Sequence, residues 1–352
     1  MIKSEAFARI CFFGDHQDYL NLPVISGTID RKITLTATPN SEDKYILHLL
    51  DLDSVIAVNI NENFNNIEAE DYFRSSLSIL QQAGLVFEQG YTVEITGNIP
   101  VNAGVSSSSA LVVAWIRFLV QAQKTPVAVS SIQIGQWAYS AEVGFFNQPG
   151  GMMDQYTIAQ EGLLYIDTQT GSTSRLKPHL GQLVVAESGI AKETLTVLHN
   201  AREYGQKAIE AVQQVNSNFE LRTAEPKDYA LYLDKVPALY QKHWYAALHN
   251  YDLTLKAMNA LQSASTDLIQ IGKWMNEHQY ILQDYIQNTP KAMALQMEAA
   301  RNAGALGAKI IGSGGGGCML AMVTEKTKQK VIDAFLSNGA VAAYEIQLTS
   351  PL

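Results

Sequence analysis

Cysteine, cationic residues and long apolar runs are all scarce in this 352-residue chain, and each shortage closes off a class of function. Its two cysteines, Cys11 and Cys318, each lie inside an apolar segment without CxxC spacing. That excludes a disulfide framework and a cysteine-based metal site, and two reduced core thiols are expected. Lysine and arginine number 25 against 34 aspartates and glutamates, for a net charge of −9. An acidic chain is a poor partner for nucleic acid or an anionic membrane surface, which attract basic patches. No uninterrupted run of about 18 apolar residues is present, so no membrane-spanning helix is expected. The opening MIKSEAFARICFF is broken by charge and lacks the apolar core of a signal peptide, which points to a cytoplasmic location. No lysine follows the glycine-rich loops in Walker fashion, and HRD and DFG are missing, so neither a P-loop nucleotidase nor a protein kinase is read here. Internal repeats, low-complexity tracts and long linkers are also lacking.

What remains is an ordinary globular balance, 47% hydrophobic and 17% charged, on a chain longer than one core usually holds, so two domains are expected. Residues 4 to 13, 22 to 38, 44 to 50, 54 to 60 and 91 to 97 have strand-like alternation or β-branched content. NENFNNIEAED reads as a loop entering a helix. Helices are predicted over about 107 to 123 and 130 to 145, the second entered through Ser130 and Ser131. LLYIDT and QLVVAES read as strands. From about 192 to 306 the pattern is helical, punctuated by Pro226, Pro237 and Pro290, and the chain ends as strand, glycine loop, strand, helix, strand. The shift near residue 185 divides an α+β part, 1 to 185, from a helix-rich α+β part, 186 to 352.

The most informative stretch is PVNAGVSSSSA, residues 100 to 110, followed by the apolar helix LVVAWIRFLV. A helix N-terminus leaves its first amides unpaired and carries partial positive charge, and small residues there let phosphate oxygens approach the backbone. Four serines exceed what a cap needs. One hydroxyl can cap the helix while another reaches a hard cation such as magnesium. The run GSGGGGC at 312 to 318 contains G-x-G-x-x-G, but it lies between strands and opens no helix, so a dinucleotide site is rejected on context. Glycine there lets backbone approach a ligand, or simply makes a hairpin.

PxxxGxSSSSA resembles the second motif of the GHMP kinases, the small-molecule kinases named for galactokinase, homoserine kinase, mevalonate kinase and phosphomevalonate kinase. ARICFFGDHQDYLNLPV is similar to the galactokinase signature, GALGAKIIGSGGGGCMLAMV to the third family motif, and GGMMDQY at 150 to 156 to the GIMDQ segment of galactokinases. The matches run from residue 8 to 321, and the sugar-kinase branch is the most similar. MNEHQYILQDYIQNTP, at 275 to 290, resembles a stretch that precedes the third motif in related kinases. The resemblance implies an α+β, two-domain GHMP kinase fold. Its N-terminal domain would carry a left-handed βαβ phosphate loop, and its C-terminal domain would be helix-rich and ferredoxin-like.

The same resemblance assigns roles. Asp154, whose bland reading is a helix N-cap, aligns with the family's catalytic aspartate. Arg9, otherwise a solvated strand end, aligns with the arginine that keeps that carboxylate ionised and offsets phosphoryl charge. The family's Pro-Gly before this arginine is Phe7-Ala8 here, which puts the local backbone in question. Glu142 stands twelve residues before Asp154, as the family's magnesium-binding glutamate does, with Ser108 as its partner ligand and Ser107 as the alternative. Gly104, Ser106, Ser107, Ser108, Ser109, Gly314 and Gly315 are expected around ATP. Asp15, His16, Asp18 and Tyr19 suit a polyol, although alone they read as a polar turn. Asp15 replaces the galactokinase glutamate and Gln17 the usual threonine, changes that bear on which sugar is accepted.

The reading is an ATP- and magnesium-dependent kinase that phosphorylates a monosaccharide at its anomeric hydroxyl. Mevalonate-type and heptose-type kinases are the competing enzymes, and a catalytically silent sugar and nucleotide sensor is the competing class. Because the presumed sugar segment carries two aspartates and no cation, a neutral sugar is expected, unless Lys192 or Arg202 supplies a compensating charge.

Overall fold

The computed structural model describes residues 1–64, 66–100, 104–178, 180–191, 194–263 and 265–350. Eleven strands form two sheets among these residues. The first sheet contains β1 (Ile2–Phe13), β2 (Val24–Pro39), β3 (Lys44–Leu49), β4 (Ser54–Asn59), β5 (Tyr91–Gly97), β6 (Leu163–Asp167) and β7 (Ser172–Leu176). Its order is β4-β3-β5-β2-β6-β7, with β1 also paired to β2. Only the β3–β5 pairing is parallel. The second sheet is antiparallel, in the order β11-β8-β10-β9, from β8 (Gln182–Glu187), β9 (Gly307–Ile310), β10 (Cys318–Val323) and β11 (Ala342–Ile346). The expected division between residues 185 and 186 falls inside β8, whose residues all pair within the second sheet.

Four helices accompany the first sheet: α1 (Tyr72–Gln82), α2 (Ser107–Gln121), α3 (Ser131–Tyr139) and α4 (Met153–Gln160). Asp71 caps α1 by accepting the Arg74 amide, and Ser130 caps α3 by accepting that of Gln133. The predicted helix over 130 to 145 is interrupted, because α3 runs into a π turn at Ser140–Gly144. α2 is apolar nearly all round and is packed accordingly, against β1 and β2 on one side and α1, α3 and α4 on others. Trp115 at its centre is fully buried and meets Tyr45 and Phe73 edge to face. That packing fixes the helix whose N-terminus is the serine loop.

The remaining helices are α5 (Thr194–Val215), α6 (Asp228–Tyr232), α7 (Gln241–Gln262), α8 (Leu268–Ile281), α9 (Lys291–Asn302) and α10 (Lys328–Ser337). α8, α9 and α10 pack on the second sheet, while α7 reaches back to β1 and β2. Both cysteines are buried, and Cys11 Sγ donates to the Phe13 carbonyl at 3.3 Å. No described helix is long and apolar enough to cross a membrane.

α8 and β9 approach so closely that their contact requires glycine on both sides. A Cβ on Gly272 would lie 2.4 Å from the Leu306 carbonyl oxygen, and one on Gly307 would lie 2.6 Å from the Gly272 oxygen. Gly272→Val should therefore cost about 1–3 kcal/mol through overpacking, read as a lowered thermal midpoint. Gly205→Ala, inside α5 with only ordinary contacts to Leu20, should be neutral or stabilising. Equal midpoints for the two variants would refute this account of the α8–β9 contact.

Candidate active site

The candidate site starts from an irregularity in β1. Its pairing with β2 slips between Phe7 and Ala8, where the family's Pro-Gly is replaced, and Arg9 follows directly. Such irregularities re-aim side chains beside sites. Arg9 is 3% exposed and forms a two-toothed fork with Asp154: Nε donates to Oδ1 at 2.7 Å and Nη2 to Oδ2 at 2.7 Å. Its Nη1 donates to the Gly104 carbonyl at 2.8 Å, tying the phosphate loop to the strand. Burial alone would lower the affinity of this guanidinium for its proton. The charge and hydrogen bonds of Asp154 outweigh it and raise the pKa.

Asp154 lies in the first turn of α4 but does not cap it. Its second oxygen also accepts the hydroxyl of Ser106. Ser106 takes left-handed backbone angles (φ 62°, ψ 51°) just before α2, and its side chain turns from the helix end toward Asp154. Arginine, serine and carboxylate thus brace one another across three elements.

Glu142 sits on the π turn after α3, an insertion frequent at functional sites. It is buried, and burial raises its pKa against hydrogen bonds from Gln155, Ser109 and Ser108. Gln155 Nε2 donates to Oε2 at 2.7 Å. The hydroxyls that reach Glu142 are thus those of Ser108 and Ser109. One carboxylate with adjacent hydroxyls is a donor set that suits a hard cation. No cluster of three or more His, Cys, Asp or Glu forms a metal cage among the described residues, so phosphate and water oxygens would have to complete the shell.

Asp18 accepts the amides of Tyr19 and of Met153, and so lies at the N-terminus of α4. Burial first, and then the charge of Asp154, raise its pKa to about 6. A Cβ on Gly151 would come within 2.2 Å of its Oδ2, which explains a glycine there. His16 Nδ1 lies 2.9 Å from the Tyr19 hydroxyl, and its Nε2 lies 2.8 Å from the Ser313 carbonyl and 2.9 Å from Asn288 Nδ2. Asp15 lines the cavity beside His16 and Asp18, as expected of a candidate substrate residue, and is also tied to the glycine turn. It is 1% exposed, its Oδ2 pairs with Lys309 Nζ at 2.7 Å and its Oδ1 accepts the Gly312 amide at 2.8 Å. Both carboxylate oxygens have protein partners, so Asp15 also holds the glycine turn.

The glycine run divides between the cavity and a neighbouring loop. Gly312 and Ser313 line the cavity, and a Cβ on Gly312 would stand 3.3 Å from Arg9 Nη2. Gly314 and Gly315 turn toward Asn288 instead. A Cβ on the first would lie 2.5 Å from the Asn288 oxygen, and the amide of the second donates to it at 2.6 Å. Val101, Asn102 and Ala103 of the phosphate loop, and Lys192, lie outside the described residues.

The assembled cavity measures about 320 Å³. It gathers Arg9, Asp154, the four serines, Glu142, Asp18 and His16 from segments far apart in sequence. The reading of the sequence missed Lys309, Gln155 and Ser313. Lys309 had a visible signal, a lone lysine within the apolar strand GAKII, whereas Gln155 and Ser313 had none.

Two family models match the chain: GHMP kinases N terminal domain over residues 71–162, and GHMP kinases C terminal over residues 254–341. The chain belongs to the GHMP kinase family. It is 29% identical to a mevalonate kinase of Thermococcus sibiricus, over 96% of this chain and 94% of that one. It is 28% identical to a galactokinase of Lacticaseibacillus casei, over 92% and 86% respectively. In fold, this GHMP kinase superposes on Lactococcus lactis galactokinase complexed with galactose at a TM-score of 0.87 and 21% identity, covering 99% of this chain and 94% of that one. The fold is the two-domain GHMP kinase fold.

The elevated Asp18 has a thermodynamic signature. Its folded pKa of about 6 exceeds the ordinary 3.8. The folded state therefore binds its proton more tightly than the unfolded state, and stability from this group is lost as pH rises from about 4 to 6. The penalty approaches roughly 3 kcal/mol above that window. Asp18→Asn should flatten the decline relative to wild type in chemical denaturation between pH 4 and 7. Parallel curves for the two proteins would show that Asp18 is not strained by its neighbours.

Proposed function

We propose that this GHMP kinase transfers the γ-phosphoryl group of ATP to a neutral monosaccharide, at the anomeric hydroxyl. The observation that carries the reading is Asp154, fixed by the Arg9 fork and by Ser106 at a point where the serine loop, Glu142 and the Asp18–His16 cluster converge. Phosphoryl transfer asks the protein chiefly to position the reactants and to offset charge. Asp154 is oriented to accept a hydroxyl proton, and Arg9 keeps it ionised while lending positive charge to the transferring group. The N-terminus of α2 receives phosphate oxygens. Glu142 and Ser108 would hold magnesium, whose charge would offset that of the phosphates.

The choice of a neutral sugar rests on the lining. Asp18, Asp154 and Glu142 are acidic, and Arg9 is committed to Asp154, so a carboxylated substrate would face uncompensated repulsion. Mevalonate remains the second reading, favoured by the similarity to the archaeal mevalonate kinase, and Arg202 would then have to supply the missing cation. The structural division consistent with this function lies just before β8, so that each domain keeps its sheet whole.

A coupled ADP-release screen over neutral hexoses, uronic acids, heptoses and mevalonate tests the reading. Galactose or a close neutral relative should be turned over fastest. A clear preference for a uronic acid or mevalonate would overturn the substrate class, and no ADP release from any acceptor would favour a silent sensor. Asp154→Asn should lower kcat about 100-fold to 10,000-fold with nucleotide affinity nearly intact. A loss of only a few-fold would remove Asp154 from the chemistry.

Glu142→Gln keeps the shape of the side chain but removes its charge, so the magnesium concentration needed for half-maximal ATP binding should rise several-fold. An unchanged magnesium titration, followed by nucleotide fluorescence, would remove Glu142 from the metal site.

A further inference from the structure

Between β1 and β2 the chain carries Asp15, His16 and Asp18 along the cavity wall and then makes one short 3-10 turn, Asp18–Leu20. A single turn has no stability of its own, because fixing its backbone costs more than its few hydrogen bonds return. It closes at Asn21, whose left-handed angles (φ 59°, ψ 29°) let its amide return to the Asp18 carbonyl at 3.1 Å. What holds it must come from outside.

The outside support comes from the helices of the second domain. Leu20 lies beside Gly205 of α5. Leu22 is fully buried in an apolar core whose other buried members, among them Ala208, Leu221, Trp244 and Leu248, belong to α5, α7 and the segment between them. Next to Leu221, Arg222 supplies the polar part of the support. Its Nη1 donates to the Asn21 carbonyl at 3.0 Å and to Asp167 Oδ1 at 3.0 Å, and its Nη2 donates to Asp167 Oδ2 at 2.7 Å. The carbonyl of Arg222 accepts the Tyr251 hydroxyl at 3.0 Å, which ties this segment to α7. Asp167 ends β6, and its neighbour Thr168 donates its hydroxyl to the Leu22 carbonyl at 2.8 Å. One guanidinium therefore joins the close of the turn, the end of β6 and the helical layer.

The form of the contact indicates its purpose. The two side chains are 29% and 18% exposed, and a partly hydrated ion pair adds only modestly to global stability. The planar fork does something else: it engages both carboxylate oxygens and still directs one N–H at a carbonyl, a geometry that lysine cannot reproduce. That carbonyl stands two residues beyond Tyr19, whose hydroxyl meets His16 Nδ1 at 2.9 Å and whose amide donates to Asp18 at 3.0 Å. Displacing Asn21 would thus displace Asp18 and Tyr19. Arg222 makes no hydrogen bond to the serine loop or to Glu142 among the described residues. We propose, on the reading that this turn contacts the phosphoryl-accepting substrate, that Arg222 is a positioning residue: it clamps the Asp18–Leu20 turn to β6 and so sets substrate affinity through the turn.

Two measurements on the full chain test the clamp. Hydrogen exchange, with no ligand present, reports on the amides of Leu20, Asn21 and Leu22, which return to the carbonyls of Gln17, Asp18 and Gln17. Arg222→Gln should speed their exchange about fivefold or more, while amides at the centre of α2 keep their rates. KM for the best substrate of the ADP-release screen, or the Kd of labelled galactose where no ADP is released, should rise about tenfold. Affinity for a non-hydrolysable ATP analogue should stay within about twofold, because the clamp lies on the substrate side. Arg222→Lys, which keeps the charge and loses the fork, should restore part of both effects. Asp167→Asn loosens the clamp from its other end and keeps the test decisive if Arg222→Gln does not fold. Unchanged exchange in the turn, or exchange raised equally in α2, would overturn the clamp. Faster exchange in the turn with unchanged substrate affinity would overturn its part in substrate binding. The exchange measurement needs no substrate, so failure of the clamp is separable from failure of the sugar-kinase reading, which the screen decides.

Discussion

The geometry of the active site hangs on one fully buried ion pair, Lys309 with Asp15, both side chains 0% exposed. Two charges removed from water carry a large desolvation cost, which is recovered only where every hydrogen-bonding position is filled. Here they are. Lys309 donates to Asp15, to the Cys11 carbonyl at 3.1 Å and to the Ile310 carbonyl at 2.6 Å, while Asp15 takes the Gly312 amide on its other oxygen. The attraction of Lys309 overcomes the burial that would otherwise raise the Asp15 pKa, and holds it below the usual carboxylate range. The pair joins the end of β1 to the end of β9, and so sets the first sheet against the second. A hydrophobic replacement of similar volume could match its stability but not its register.

From that joint the site follows by contact. Gly312, pinned by Asp15, abuts Arg9 and the Gly104 carbonyl. Arg9 in turn fixes Gly104 and Asp154, and Asp154 fixes Ser106 at the entry to α2. His16 and Asn288 both reach the Ser313 carbonyl, extending the same junction toward Asp18 and Tyr19. The three motif-bearing segments of sequence are therefore parts of one braced corner, and the glycines allow their backbones to meet there.

Much of this was legible in the linear sequence because the signals are local. Strand alternation, the serine loop with its apolar helix, and the spacing from Glu142 to Asp154 each lie within a short window. The bracing of Asp15 was hidden because its partner Lys309 stands 294 residues away, and the packing of Gly314 and Gly315 on Asn288 was hidden for the same reason. The π turn at Ser140–Gly144 escaped because it differs from a helix by one hydrogen-bond register, which apolar spacing does not report. β7 escaped because STSRL is polar and only Leu176 is buried, so an edge strand looks like a loop.

The charge of the site constrains how it can hold a nucleotide. Among the described residues lining the cavity Arg9 is the only arginine or lysine, and its fork is already spent on Asp154 and Gly104. A triphosphate brought here meets Asp18, Asp154 and Glu142 with no side-chain cation left over for it. Backbone dipoles at the start of α2 can offset a fraction of that charge, and a divalent cation on Glu142 can offset a larger share while relieving the burial cost of that carboxylate. Burial raises the Glu142 pKa against hydrogen bonds from Gln155, Ser109 and Ser108, so a cation on that carboxylate would offset its burial together with the phosphate charge.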